Sequence, residues 1–238
     1  MGTHITVEIQ DKPTEEKFQK VFDYFRSVDE TFSPYKKDSE LSKINCGKLT
    51  IKDASPQMQE VYELAEKTKQ ETFGYFDIKK PDQSLDPSGV VKGWAIWKAG
   101  LILKQAGSER FFIDVGGDIQ ASSPTKETEH WKVGIRNPFN KSEIIKALKI
   151  SNEGVATSGT YERGQHIYNP FLPSQKIEDV VSLTVIGKNV NEADRFATAA
   201  FAMGKKGIEF IEKVPGLEGY MVGKDGIATY TSGFNQYV

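Results

Sequence analysis

Three histidines and one cysteine, Cys46, are the only imidazole and thiol ligands in this 238-residue chain, so a structural zinc cluster is excluded. One cysteine also makes no intrachain disulfide framework. Nothing beside Cys46 would depress a thiol pKa, so it is not read as a nucleophile. No apolar run approaches the roughly 18 residues of a membrane span. Neither sign of charge dominates: 31 basic residues face 33 acidic ones, for a net −2, which gives no electrostatic case for nucleic acid. Neither Gly-x-x-x-x-Gly-Lys-Ser/Thr nor Gly-x-Gly-x-x-Gly occurs, so the usual nucleoside-triphosphate loop and dinucleotide fingerprint are absent. Internal repeats, low-complexity segments and linkers are missing too, and residues 1–238 are read as one domain.

What is present is a well-patterned core. Hydrophobic residues make up 38% of the chain, with 14 Phe, 9 Tyr and 3 Trp, enough for a sizeable interior. The first nine residues alternate like a strand and lack the apolar centre of a signal peptide. The expected location is cytoplasmic, or extracytoplasmic if a leader has been removed. Phe18, Val21, Phe22, Phe25, Val28 and Phe32 recur at spacings of three and four, which predicts an amphipathic helix over 14–32 with a core-facing stripe. Ser55-Pro56 supplies an N-cap and a first-turn proline for a helix running to about residue 70. A further helix is expected to end near Gly107. Strands are expected at 111–115, 131–135, 147–150, 155–157 and 180–186, and helices at 192–203 and 205–214. Residues 220–222 and 227–231 read as a closing hairpin, and 122–130 as a polar hairpin tip. Helices and hairpins mix without a steady β-α-β alternation, so the fold class is α+β.

Two stretches carry chemistry. Leu85-Asp-Pro-Ser-Gly-Val-Val-Lys-Gly-Trp94 puts a carboxylate, a hydroxyl, two glycines and a lysine at the start of a helix. Free N–H groups and the positive helix end suit an anion there. About a hundred residues later, Glu192-Ala-Asp-Arg-Phe-Ala-Thr198 places Asp194 and Thr198 on one helix face. Those two oxygens suit a hard divalent cation, which takes few protein ligands when phosphate and water complete its shell. Glycine pairs follow strands at Asp114-Val-Gly-Gly-Asp118 and near Thr157-Ser-Gly-Thr-Tyr161, where they serve a turn or a close ligand approach. His166 is a phosphate-binding or acid–base candidate. These features together describe an enzyme acting on a phosphorylated cofactor.

In order along the chain, the pieces resemble the ApbE family, the FAD:protein FMN transferases. The matching stretches are Met1-Gly-Thr, Tyr35-x-x-Asp38-Ser-Glu-Leu-Ser-x-Ile-Asn45, Gly74-Tyr-Phe-Asp77, Asp86-x-Ser-Gly-x-x-Lys-Gly93, Asp114-x-Gly-Gly-Asp118, Ala156-Thr-Ser-Gly-x-Tyr161, His166-Ile-x-x-Pro170 and Ala193-Asp-x-x-x-Thr198. The resemblance implies a mixed, largely antiparallel sheet with packed helices. It also implies Mg²⁺-dependent cleavage of FAD, with FMN passed to a threonine of a target flavoprotein and AMP released. By position it implies that Met1, Glu40, Leu41, Ser42, Tyr75, Phe76, Asp77, Asp86, Lys92, His166 and Tyr168 contact FAD. Asp194, Thr198 and the Gly89 carbonyl are the implied metal ligands. His166 and Asp86 are both candidates to assist the threonine, a poor nucleophile without a base or metal.

The chain also departs from that pattern. Asn169 stands where the family commonly has aspartate, and Phe171-Leu172 replaces Thr-Gly. Arg195, Phe196 and Ala197 leave Asp194 as the one carboxylate in its turn, and Trp97 occupies a common aspartate position. The 78–85 segment is short for the family. Two other outcomes are therefore carried forward: a Mg²⁺-dependent FAD pyrophosphatase giving FMN and AMP, and a non-catalytic FAD-binding protein.

Overall fold

The computed structural model describes residues 3–125, 130–160 and 167–238. Seven strands form one sheet in the order β1 (Ile5–Ile9), β2 (Phe111–Val115), β3 (Asp118–Ser122), β6 (Gly154–Gly159), β7 (Val180–Gly187), β8 (Glu218–Gly223) and β9 (Ala228–Tyr230). Every pairing in it is antiparallel. β4 (Trp131–Asn137) and β5 (Asn140–Ile150) make a separate antiparallel hairpin. The helices are α1 (Glu15–Phe32), α2 (Glu40–Asn45), α3 (Pro56–Glu71), α4 (Ser88–Gln105), α5 (Val190–Ala202) and α6 (Gly207–Lys213). This is the α+β arrangement the sequence predicts.

Strand alternation sorts the core into layers. Phe111, Ile113 and Val115 of β2 point into the cluster built from α1 to α4. Leu183, Val185 and Met221 point into a second cluster with α5 and α6. On the opposite face, Ile119, Val155, Ile186, Tyr220 and Val222 meet Trp131, Val133, Ile135, Leu148 and Ile150 of the hairpin. The sheet thus lies between a helical layer and the β4–β5 hairpin.

Local chemistry accounts for the helix ends. Thr14 caps α1 by accepting from the Lys17 amide, with Glu15 and Glu16 complementing the helix dipole. Ser55 caps α3 and Pro56 fills its first turn. α5 begins two residues before the predicted start because Asn189 is its cap, accepting from the Glu192 amide at 2.9 Å. α4 and α5 are buried nearly all round, so they sit inside the fold and not on its surface. β3 was not predicted at all. No helix among the described residues is long and apolar enough to cross a membrane.

Candidate functional site

The two predicted chemical stretches meet where the first turns of α4 run against α5. A Cβ added at Gly93 would lie 2.6 Å from Asp194 Cβ and 2.8 Å from the Val190 carbonyl oxygen. A Cβ at Gly89 would lie 3.1 Å from Thr198 Cγ2 and 2.9 Å from the Phe76 ring. Only glycine at both positions lets these helices approach so closely. The Gly93 amide donates to Asp194 Oδ2 at 2.8 Å, and Asp194 is only 4% exposed. The fold thus brings Asp194 and Thr198, paired by their spacing, against Gly89 and Gly93.

The chain leading into α4 is held from two sides. The side-chain amide of Asn45, at the end of α2, donates to the Leu85 carbonyl at 3.0 Å and accepts from the Leu85 amide at 2.8 Å. Residues 78–86 fold back as a tight turn, with a Lys79–Leu85 bridge and the Asp86 amide donating to the Ile78 carbonyl at 2.7 Å. Asp86 accepts from the Ser88 amide at 3.2 Å and pairs with Lys80 at 3.4 Å. Asp77 accepts from the Lys79 amide at 2.8 Å and pairs with Lys69 at 2.6 Å. Tyr168 belongs to this group: burial, and then the charges of Asp77 and Asp86, push its phenol pKa up.

Lys92 projects from α4 to Asp118 of β3 at 2.6 Å, and Asp118, 1% exposed, also accepts from the Thr157 amide at 3.2 Å. Asp118 lay in a quoted glycine motif, yet as the partner of Lys92 it was missed. A buried carboxylate needs a partner, but the burial of Asp118 shows only in the fold, so the sequence offers no signal for the pair. Asp114 accepts from the Gly117 amide at 2.8 Å, and burial raises its pKa despite that bond.

Other expected cofactor residues have structural partners. Glu40 Oε2 accepts from the amide and hydroxyl of Ser55 at 3.0 and 2.9 Å, so its carboxylate fixes the start of α3. Leu41 and Phe76 are buried in the helical core. Ser42 lines an open cleft of about 310 Å³ with Tyr35, Lys37, Cys46 and Lys48. Tyr75 meets Phe171 edge-on, with ring centroids 5.0 Å apart, so the replacement after Pro170 touches the Gly-Tyr-Phe-Asp stretch. Met1 and His166 lie outside the described residues.

The sequence model of the ApbE family matches residues 1–80 and 78–221. This chain belongs to the ApbE family. Among curated relatives, the FAD:protein FMN transferase of Escherichia coli K12 is 29% identical over 161 residues, covering 64% of this chain and 46% of that protein. The one from Vibrio cholerae serotype O1 is 27% identical over 135 residues, or 53% of this chain and 40% of that protein. The ApbE match thus spans about half the length of these relatives. Solved structures cover more. The flavin transferase ApbE from Vibrio cholerae superposes with a TM-score of 0.86 at 22% identity, over 100% of this chain and 96% of that one. The ApbE protein of Thermotoga maritima gives 0.86 at 20% identity, over 99% and 96%. At such identities the superpositions establish the ApbE fold.

Proposed function

We propose that residues 1–238 form one catalytic domain, a FAD:protein FMN transferase that cleaves FAD with Mg²⁺ and attaches FMN to a threonine of a target flavoprotein. The carrying observation is the seating of Asp194 and Thr198 of α5 on Gly89 and Gly93 of α4. The candidate donors are all oxygens, the Asp194 carboxylate, the Thr198 hydroxyl and the Gly89 carbonyl, as a hard cation prefers. The Gly93 amide donates to Asp194 Oδ2, which fixes that carboxylate against the first turns of α4. Bound by these three, Mg²⁺ would neutralise pyrophosphate oxygens as charge develops on them.

The remaining work falls to the chain's own groups. Amides at the start of α4 favour a phosphate, and Lys92 adds a cation held in place by Asp118. Tyr75 and Phe171 offer an aromatic wall to a planar ring. The threonine oxygen forms a bond to the FMN phosphorus while the bond from that phosphorus to the bridging oxygen breaks. AMP leaves with the bridging oxygen, and the threonine proton passes to a base, Asp86 or His166. Positioning of this kind supplies most of the catalysis in phosphoryl transfer.

A second reading, FAD hydrolysis, is favoured by the tight 78–86 turn, which leaves Asp86 and Tyr168 only half-buried and within reach of water. The test is incubation with FAD, with and without Mg²⁺ and a threonine-bearing acceptor protein, following AMP, FMN and acceptor mass. An acceptor gaining FMN with matching AMP supports the transferase. AMP with only free FMN supports hydrolysis, and bound but intact FAD overturns both.

A further inference from the structure

The β4–β5 hairpin carries its charge unevenly. Residues 131–150 hold five cations, Lys132, Arg136, Lys141, Lys146 and Lys149, and one carboxylate, Glu143, in a chain of net −2. Glu143 accepts from the Asn137 side chain at 2.6 Å. The inner face of the hairpin is apolar and buried on the main sheet, while Lys132, Arg136 and Lys149 are exposed. Lys132 and Lys149 stand directly opposite each other in the register. Like charges at such positions destabilise a strand pair. A lysine on an edge strand guards it against pairing, but guarding does not call for two lysines face to face.

Apolar side chains accompany these cations. Ile144 is 52% exposed and lies over Gly134, with Cδ1 2.8 Å from where a Cβ would be. Phe139 is 57% exposed in the two-residue turn between Asn137 and Asn140, at the hairpin tip. The hairpin has a definite direction. At its base, the Trp131 indole donates to the Ser122 carbonyl at 3.0 Å. Towards its tip, the Arg136 charge acts on Asp114, beside the turn that leads to Asp118 and Lys92. The tip therefore points to the end of the sheet that bears the candidate site.

We propose that the outer face of this hairpin, with Phe139 at its tip, docks the protein on an anionic lipid bilayer and holds the candidate site near the membrane surface. Clustered lysines and arginines are drawn to anionic headgroups, and an aromatic side chain can enter the interface. The match is one of charge: a strip of one sign suits the diffuse negative charge of headgroups.

The test is co-sedimentation of the purified chain with vesicles of phosphatidylcholine alone and of phosphatidylcholine containing one third phosphatidylglycerol. The expected result is binding to the anionic vesicles only, weakened by salt. K132Q/K149Q should reduce that partitioning about tenfold or more, with the thermal melt no lower than that of the native chain. Phe139→Ser should weaken it independently. Equal or absent binding to the two vesicle types, or anionic binding indifferent to K132Q/K149Q, overturns the proposal, as would capture of an acidic protein in place of lipid. Neither variant touches the flavin site, so FMN transfer to a soluble acceptor should be unaltered in both. A failed transferase and a failed membrane contact are thereby told apart.

Discussion

The amide of Gly93 and the carboxylate of Asp194 join α4 to α5 through one 2.8 Å hydrogen bond, with no room for a methyl group between them. Gly93→Ala should therefore cost about 1–3 kcal/mol in chemical denaturation, because the new Cβ meets the Val190 carbonyl as well as Asp194. Asp194→Asn keeps an oxygen for the Gly93 amide and should fold nearly as well. It should nevertheless lose Mg²⁺-dependent AMP release about a hundredfold or more. Normal release from that variant would remove Asp194 from the site.

Lys92 and Asp118 make a second test. Lys92→Met strands a carboxylate that is 1% exposed, so stability should fall by about 3 kcal/mol. Adding Asp118→Asn should return most of that loss, since a neutral amide tolerates burial better than an unpaired charge. A double-mutant cycle with no coupling would contradict the assignment.

Arg195 is 2% exposed, donates to Glu71, to Glu192 at 2.7 Å and to Thr68 Oγ1 at 3.2 Å, and lies 4.1 Å over the Phe196 ring. Arg195→Met should cost about 2–4 kcal/mol, the two carboxylates being partly solvated already. Arg195→Lys should not restore wild-type melting, because an ammonium lacks the planar fork that serves three acceptors. Full rescue by lysine would show that charge alone matters there.

Asp114 predicts a pH dependence. Burial raises its folded pKa, so the folded protein holds that proton to higher pH than the unfolded chain does. Ionised Asp114 is thus a net cost above the folded pKa, and the cost disappears below the ordinary carboxylate range. Asp114→Asn, which still accepts from the Gly117 amide, should raise the melting temperature at neutral pH by about 1–2 °C. The gain should shrink to nothing in acid. A gain that is constant with pH would mean a packing effect.

Much of this was legible in the sequence, for reasons that differ along the chain. Spacing alone paired Asp194 with Thr198, whereas the glycines flanking Lys92 were read as part of an anion site and not as a helix contact. The start of α5 was missed, since the predicted helix began at Glu192, although Asn189 followed three residues later by Glu192 is the pattern of a capping box. β3 was not readable, because its polar residues are the buried ones. Asp118 pairs with Lys92, Gln120 accepts from the Val190 amide at 3.0 Å, and Ser122 donates to the Glu109 carbonyl at 2.9 Å. Each needs a partner distant in sequence, so local alternation carries no trace of them. Glu40 shows another side of this, since a motif carboxylate expected to face the cofactor also accepts from Ser55, the cap of α3, a contact that no local pattern announces.

The clasp between Asn45 and Leu85 separates two things that a chain usually ties together, the position of a residue and the length of the loop before it. Because Leu85 is held from α2 and Asp86 from Ile78, the turn across 79–84 can lengthen or shorten while the start of α4 stays where it is. That stretch is where a family could vary its cover over a ligand, and where a peptide could be grafted, provided that Lys80, the partner of Asp86, is kept.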